Sequence, residues 1–367
     1  MSSKLPTNTK VIVIQESKVP QKPLYHDARL IDRPLSPPKP GEVVVKMTVV
    51  GFNHKDVWLR KGQYPGVTIG AVYGSDGAGI IIASGTPNDP LLNKRVFLTP
   101  ARGWEKDPQG PESRFGILGG GSFPPLGTFA EYVVVERSQV IQTPEHLDDV
   151  HIAAWPVGGL TAWRAVSVNA QVQAGQNVLI TGIGGGVALI AMQICLAKGA
   201  NVYVTSGNED KIQKAISLGA KGGANYKEKN WPSKIGALLA QNSQKGATLD
   251  AIIDSAGGDI MGQAGKILKQ GGRVVCYGMT AGSQIPLTMR QVLANQQLLG
   301  STMGSHQDLI DATNFIAQHR IVPIISHIVD GLESAEEGFE LLKRGEQFGK
   351  VVIKLRDSGS THDQAKL

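Results

Sequence analysis

The chain has 367 residues, of which 41% are hydrophobic and 19% charged, enough apolar material for more than one packed core and about the length of two domains. Its net charge is +6, but the Lys and Arg residues are scattered and no basic run carries interleaved aromatics, which disfavours nucleic acid as a partner. No stretch of 18 or more uncharged apolar residues occurs, so no membrane-spanning helix is expected, and MSSKLPTNTK holds no apolar core of a secretory leader.

Residues 1–150 read as short β-rich segments broken by Pro and Gly. Strands are predicted at Glu42–Val50, Gly77–Ser84, Lys94–Pro100 and Thr128–Glu136, separated by turn signals such as Pro37-Pro38-Lys39-Pro40-Gly41 and Pro87-Asn88-Asp89-Pro90. Their close spacing suggests a small barrel or sandwich. The Gly- and Pro-rich segment between Arg102 and Pro125 reads as a long surface loop.

Near residue 155 the rhythm changes. GGLTAWRAVSVNA reads as helix, QNVLITG as strand, ALIAMQICLAKG as helix, NVYVTSG as strand and NEDKIQKAISLG as helix. LDAIIDSAG and GGRVVCYG are two further strands, with GDIMGQAGKILKQGG expected helical between them. Strands alternating with helices make a parallel sheet with crossover connections, so the fold class is α/β and doubly wound. HQDLIDATNFIAQHR and ESAEEGFELLKRGE are late helices, a short strand lies between them, and KVVIKL is a closing strand before a polar tail. The two cysteines, Cys195 and Cys276, sit in apolar helical and strand patterns and read as small buried hydrophobes. They form no CxxC pair, so no structural zinc site is expected.

VLITGIGGGVALIA carries the chemistry of the second half. The strand Val178–Thr181 runs into Gly182, and a helix starts near Gly186. Two spacings fit, Gly182-x-Gly184 and Gly182-x-x-Gly185-x-x-Ala188. Glycines permit a tight turn and close approach of the backbone to a pyrophosphate, while N–H groups from Gly185, Gly186 and Val187 open the helix toward it. The strand–turn–helix setting makes a dinucleotide site the reading of this turn. The second strand ends in Ser206, followed by Asn208 and Lys211, where an NAD site usually carries Asp or Glu. Neutral donors and a lysine suit a 2′-phosphate, so NADP(H) is expected over NAD(H).

Three blocks then give the chain a family. GFNHKDVWLRKGQYPG with GSDGAG downstream, GGLTAWRAV leading into QNVLITGIGGGVA, and FELLKRGEQFGKVVIKL together resemble the medium-chain dehydrogenase/reductases, in the zinc-free branch of quinone oxidoreductase-like and enoyl reductase-like proteins. The resemblance runs from about Lys10 to Leu355 and implies a Rossmann domain inserted in a GroES-like β-rich catalytic domain. The expected boundaries are 1–157 for the GroES-like domain, 158–303 for the Rossmann domain and 304–367 for a returning segment, with a disordered tail from about 356. Zinc members carry a catalytic Cys where this chain has Asn53, and Gly-His-Glu where it has Gly74-Ser75-Asp76. The four-cysteine structural lobe is absent too, so no metal site is expected and a zinc alcohol dehydrogenase is the disfavoured alternative.

Enoyl and alkenal reductases of the family share Asn-x-x-Asp followed by Gly-x-Tyr, here Asn53, Asp56, Gly62 and Tyr64. The resemblance makes Tyr64 the candidate proton donor and puts Asn53 near the nicotinamide ribose. It also implies Thr161 at the nicotinamide amide, Tyr226 beside the adenosine 2′-phosphate and Gly278 where backbone approaches the cofactor. Asp56 and Arg60 read as a structural pair, and His54 as a pocket or surface residue. The expected activity is therefore NADPH-dependent, zinc-independent reduction of quinones or α,β-unsaturated carbonyl or enoyl compounds by hydride transfer. A low-turnover cofactor-binding protein with a structural or nucleic-acid-binding role is the alternative from another class. A small-molecule substrate and a homodimer are expected by resemblance. The chain ends in Ala365-Lys366-Leu367, similar to the Ser-Lys-Leu peroxisomal address, so a peroxisomal location stands beside a cytoplasmic one.

Overall fold

The computed structural model describes residues 5–17, 19, 25–242 and 246–356. The polar tail beyond 356, with its Ala365-Lys366-Leu367 terminus, lies outside them. The chain divides into two compact units. One takes the chain up to Gly103, Ser113–Pro156 and the chain from Ile325; the other takes Trp104–Glu112 and Val157–Ile324.

The first unit is built on the strand Glu42–Gly51. Val43, Val44, Val45, Met47, Val49 and Val50 are all at most 2% exposed, so this valine-rich run is covered on both faces. It pairs antiparallel with Asp76–Ser84, with Tyr132–Glu136 and with the last strand, Lys350–Lys354. Ile325–Asp330 lies parallel to that last strand, and Arg95–Leu98 and Val140–Gln142 extend the opposite side. A separate hairpin, Asn8–Gln15 with Asp27–Pro34, lies over the core through bridges from Val11 to Ala130 and Val13 to Val72. The core gathers Val45, Phe52, Val57, Leu59, Tyr73, Phe129, Phe339 and Ile353.

The second unit holds six parallel strands in the order Gly222–Asn225, Asn201–Ser206, Asn177–Ile180, Leu249–Asp254, Leu268–Cys276 and Gln297–Gly300. Succession runs outward in both directions from the central pair Asn177–Ile180 and Leu249–Asp254, which is the doubly wound pattern expected. A ligand of such a sheet sits at the carboxyl ends of the strands where the order reverses.

Several expectations are corrected. The chain returns to the first unit at Ile325, not at 304, because the helix His306–His319 buries Leu309 and Ile316 in the second unit and Asp308 meets Arg164 there at 3.2 Å. The 102–125 segment is not all surface loop. Trp104 and Leu118 are buried, Gly116–Ile117 pairs with Ala101–Arg102, and Trp104–Glu112 packs in the second unit with the Arg164 guanidinium 4.3 Å from the Trp104 ring centroid. The Thr128–Glu136 strand begins only at Tyr132, since Thr128 turns to hydrogen-bond the Asp76 carbonyl at 2.7 Å. The helix expected across GDIMGQAGKILKQGG shrinks to Ile260–Ala264, ended at Gly265, and Leu268 already pairs with Leu249 in the sheet. Among the described residues no helix is long and apolar enough to cross a membrane.

Candidate functional site

In the second unit the glycine turn follows the strand Asn177–Ile180 and opens the helix Gly186–Ala197. Gly182 and Gly184 have φ of +66° and +121°, which a side chain resists. A Cβ on Gly184 would stand 2.7 Å from Lys211 Cδ, and one on Gly182 would stand 2.7 Å from Ser255 Oγ. Gly185 caps the helix with extended backbone, leaving the N–H groups of the first turn, including Gly186 and Val187, without helical partners. An anion placed there meets both these donors and the positive end of the helix. The neighbouring strand end is knotted: Thr181 Oγ1 donates to Asp254 Oδ1 at 2.6 Å, and the Gly257 N–H donates to Asp254 Oδ2 at 2.7 Å. Gly278 lies against this knot, where a Cβ would be 2.5 Å from the Ser255 carbonyl oxygen. Thr161, on the helix Pro156–Trp163 of the same unit, is buried with its hydroxyl 3.7 Å from Met303 Sδ.

The end of the second strand differs from expectation in one respect. Ser206 is only 4% exposed, and its hydroxyl accepts from the Asn208 N–H at 3.3 Å. It therefore shapes the turn. Asn208 caps the helix Glu209–Ser217 by accepting from the Lys211 N–H. Exposed around this turn are Asn208, Glu209, Asp210, Tyr226 and a residue the sequence reading missed, Lys227. A Cβ on Gly207 would lie 2.7 Å from the Tyr226 hydroxyl and 2.9 Å from Lys227 Cε. No carboxylate has replaced Ser206, and two lysines, Lys211 and Lys227, flank the turn. These residues fit a dinucleotide, and the signal for Lys227 was present as the basic neighbour of Tyr226 in ANYKE.

In the first unit Asn53 heads the short helix His54–Arg60. Its N–H donates to Asp56 Oδ2 at 2.8 Å, and the Asp56 N–H donates back to the Asn53 carbonyl at 2.9 Å. The Asn53 amide is held at both ends: Nδ2 donates to Asp76 Oδ2 at 2.9 Å, and Oδ1 accepts from Lys350 Nζ at 2.6 Å. Lys350 Nζ also meets Asp76 Oδ2 at 2.8 Å. Ser75 is fully buried and donates to the Leu118 carbonyl at 2.6 Å. Lys55 donates to the carbonyls of Leu118 and Gly119 and stands 5.5 Å from the Tyr64 ring centroid.

Burial dominates the titration of this cluster. It pushes the Asp56 carboxyl up to about 6 against the pull of Lys55, and Asp56 Oδ1 has no partner among the described residues. It pushes the Lys55 ammonium down to about 8. Tyr64 is raised by burial first and by the Asp56 charge second, so its phenol stays protonated and able to donate. Asp56 and Arg60 are not a pair. Arg60 instead donates to Glu336 and the His26 carbonyl, both at 2.6 Å, with its guanidinium 4.3 Å from the Tyr25 ring and 4.8 Å from that of Phe339. His54 is exposed, its ring edge-on to Trp58 at 5.7 Å.

Family models match both halves, the alcohol dehydrogenase GroES-like domain over residues 39–145 and the zinc-binding dehydrogenase over residues 186–318. The chain is 41% identical over 333 residues to the zinc-type alcohol dehydrogenase-like protein YogA of Leptosphaeria maculans, covering 87% of this chain and 92% of that protein. A crystal structure of an NAD-dependent alcohol dehydrogenase superposes with a TM-score of 0.80 at 30% identity, over 95% of this chain and all of that one. A crotonyl-CoA carboxylase/reductase in complex with NADP shares the fold, with a TM-score of 0.82 at 20% identity and 96% of each chain covered. The chain belongs to the medium-chain dehydrogenase/reductase superfamily of NAD(P)-dependent oxidoreductases.

Zinc, which the family name implies, does not fit the residues present. The catalytic zinc sites of such folds use about three protein ligands, typically thiolate, imidazole and carboxylate. At the positions the resemblance equates with them stand the Asn53 amide, whose oxygen accepts from an ammonium, the buried Ser75 hydroxyl, which donates to a carbonyl, and the Asp76 carboxylate, which already accepts from Asn53 and Lys350. Among the described residues no three His, Cys, Asp or Glu side chains converge.

Proposed function

We propose that this protein is an NADPH-dependent reductase of activated double bonds or quinones that works without zinc. The observation that carries the reading is Ser75, fully buried and hydrogen-bonded to Leu118, at the position the resemblance equates with the imidazole of zinc members. With neither imidazole nor thiolate to hold a Lewis acid, the substrate must already be electrophilic, as quinones and α,β-unsaturated carbonyls are. Bound NADPH would supply two electrons as hydride. The glycine turn and the helix start at Gly186 hold its pyrophosphate, and Lys211, Tyr226 and Lys227 favour its 2′-phosphate. Asn53 orients the reacting end, and Tyr64 delivers the proton from its hydroxyl.

The test is loss of NADPH absorbance against 1,2-naphthoquinone, a 2-alkenal, a 2-enoyl thioester and a saturated aldehyde, each with NADH as control. Turnover of the quinone or the enal, with NADPH preferred and the saturated aldehyde inert, is expected. Turnover of the saturated aldehyde, or none of any acceptor despite NADPH binding, overturns the reading. Tyr64→Phe is expected to slow enal reduction by roughly 10²-fold or more while leaving NADPH affinity unchanged; an unchanged rate removes the acid role.

A further inference from the structure

The register of the first unit's sheet brings three distant residues to one point. Gly51 pairs with Asp76 on one side and with Val352 on the other. Asn53 follows two residues beyond Gly51, Asp76 begins its strand, and Lys350 begins the last one. Asn53, Asp76 and Lys350 are 8%, 0% and 6% exposed and close a triangle of three contacts, 2.6, 2.8 and 2.9 Å long. A buried ammonium is costly unless it is paired and its protons find acceptors, and here the carboxylate and the amide oxygen supply both. The two ends of an amide differ, one accepting and one donating. With a cation on Oδ1 and a carboxylate on Nδ2, only one orientation of Asn53 satisfies both partners.

We propose that Lys350 is the resident cation of this centre, a positioning residue that fixes the direction of the Asn53 amide and closes the spot to a divalent metal. A metal there would have to share Asp76 and Asn53 with an ammonium already bonded to both. The fixed amide keeps one Nδ2 proton for an acceptor outside the triangle, so turnover depends on Lys350 through Asn53. That kinetic part rests on the reductase reading; the metal and amide parts do not.

The experiment uses the full chain. Elemental analysis after incubation with zinc, and the visible spectrum after titration with cobalt(II), are expected to show no stoichiometric metal and no tetrahedral cobalt band. One bound metal per chain overturns the proposal. In the ¹⁵N NMR spectrum, a slowly exchanging Asn53 side-chain amide, assigned by its loss in Asn53→Asp, is expected in the wild type and not in Lys350→Met. An unaltered amide in the variant also overturns it. Where the substrate panel gives turnover, Lys350→Met is expected to lower kcat roughly 10- to 100-fold with NADPH affinity retained. Should Lys350→Met fail to fold, the charge-balanced Asp76→Asn/Lys350→Met pair is expected to recover Tm but not kcat. Recovery of both would make the triangle merely structural. Absence of all turnover with the metal and amide results intact would sink the reductase reading and leave the resident cation standing.

Discussion

Gly338 lies directly beneath the ring of Phe52: a Cβ built on it would stand 2.1 Å from Phe52 Cε2. Phe52 has little room to yield, because Phe129 and Phe339 meet it edge-on with centroids at 4.8 and 5.1 Å. In an exposed helix, Gly→Ala gains about 1 kcal/mol, whereas forcing a methyl into a packed core costs about 1–3 kcal/mol. Gly338→Ala is therefore expected to lower stability, by roughly 1–2 kcal/mol in urea unfolding. A neutral or stabilising result would mean that the Phe52 ring can swing aside.

Asp56 gives the first unit an unusual pH dependence. Its carboxyl is pushed up to about 6 in the folded chain from an ordinary 3.8, so between those values the native state holds more protons than the unfolded one. Stability contributed by this group is greatest below the lower value and is lost as pH rises through the upper, by at most about 1.4 kcal/mol per pH unit. Asp56→Asn keeps an acceptor for the Asn53 N–H and removes the titration. The difference between variant and wild-type stability is expected to grow in the variant's favour from about pH 4 to about pH 6 and then level off. A constant difference in denaturant midpoints across that range would assign the dependence elsewhere.

The glycine turn offers a test that leaves the fold alone. Gly184→Ala puts a methyl at a φ of +121° next to Lys211, whose flexible chain can move away. Local strain of about 1–2 kcal/mol is tolerable for a domain, but the methyl sits on the turn that the proposed function gives to the pyrophosphate. NADPH titration by fluorescence is expected to show affinity lowered roughly tenfold or more, with the circular dichroism spectrum unchanged. Equal affinity would move the pyrophosphate away from this turn.

Cofactor choice is addressed by two substitutions at the end of the second strand. Ser206→Asp sets a carboxylate beside the turn and is expected to weaken NADPH and improve NADH relative to it. Lys227→Ala is expected to weaken NADPH more than NADH, since NADH has no 2′-phosphate for the ammonium. Unchanged ratios of the two dissociation constants in both variants would place the 2′-phosphate elsewhere.

What could be read from the sequence was local. The strand–glycine–helix run around Gly182, the alternation of strands and helices, and the Asn53–Tyr64 block each lie within a short window; pattern and spacing expose the first two, and family resemblance alone the third. What stayed hidden was long-range. Lys350 sits in KVVIKL and reads as the edge of an ordinary strand, yet its ammonium reaches Asn53, 297 residues earlier. Arg60 looked toward Asp56 on its own helix, while its carboxylate partner, Glu336, comes from a helix near the end of the chain. Ser206 was placed correctly at the strand end, but a hydroxyl turned inward by the Asn208 N–H leaves no trace in residue order.

The central strand Glu42–Gly51 has its neighbour Lys350–Lys354 at the far end of the chain. On the ribosome, the first 156 residues therefore emerge with Val49, Val50 and Gly51 unpaired on one side, since Tyr132–Glu136 pairs only with Glu42–Lys46, and with the Glu336 carboxylate for Arg60 and the Lys350 ammonium for Asp76 still to be made. The whole doubly wound sheet is then made before that gap can close. At roughly 5–20 residues per second the wait is on the order of 10–40 s. The inserted unit has every strand of its sheet in hand before Lys350–Lys354 is made, so its sheet can close while the first unit's still lacks a member.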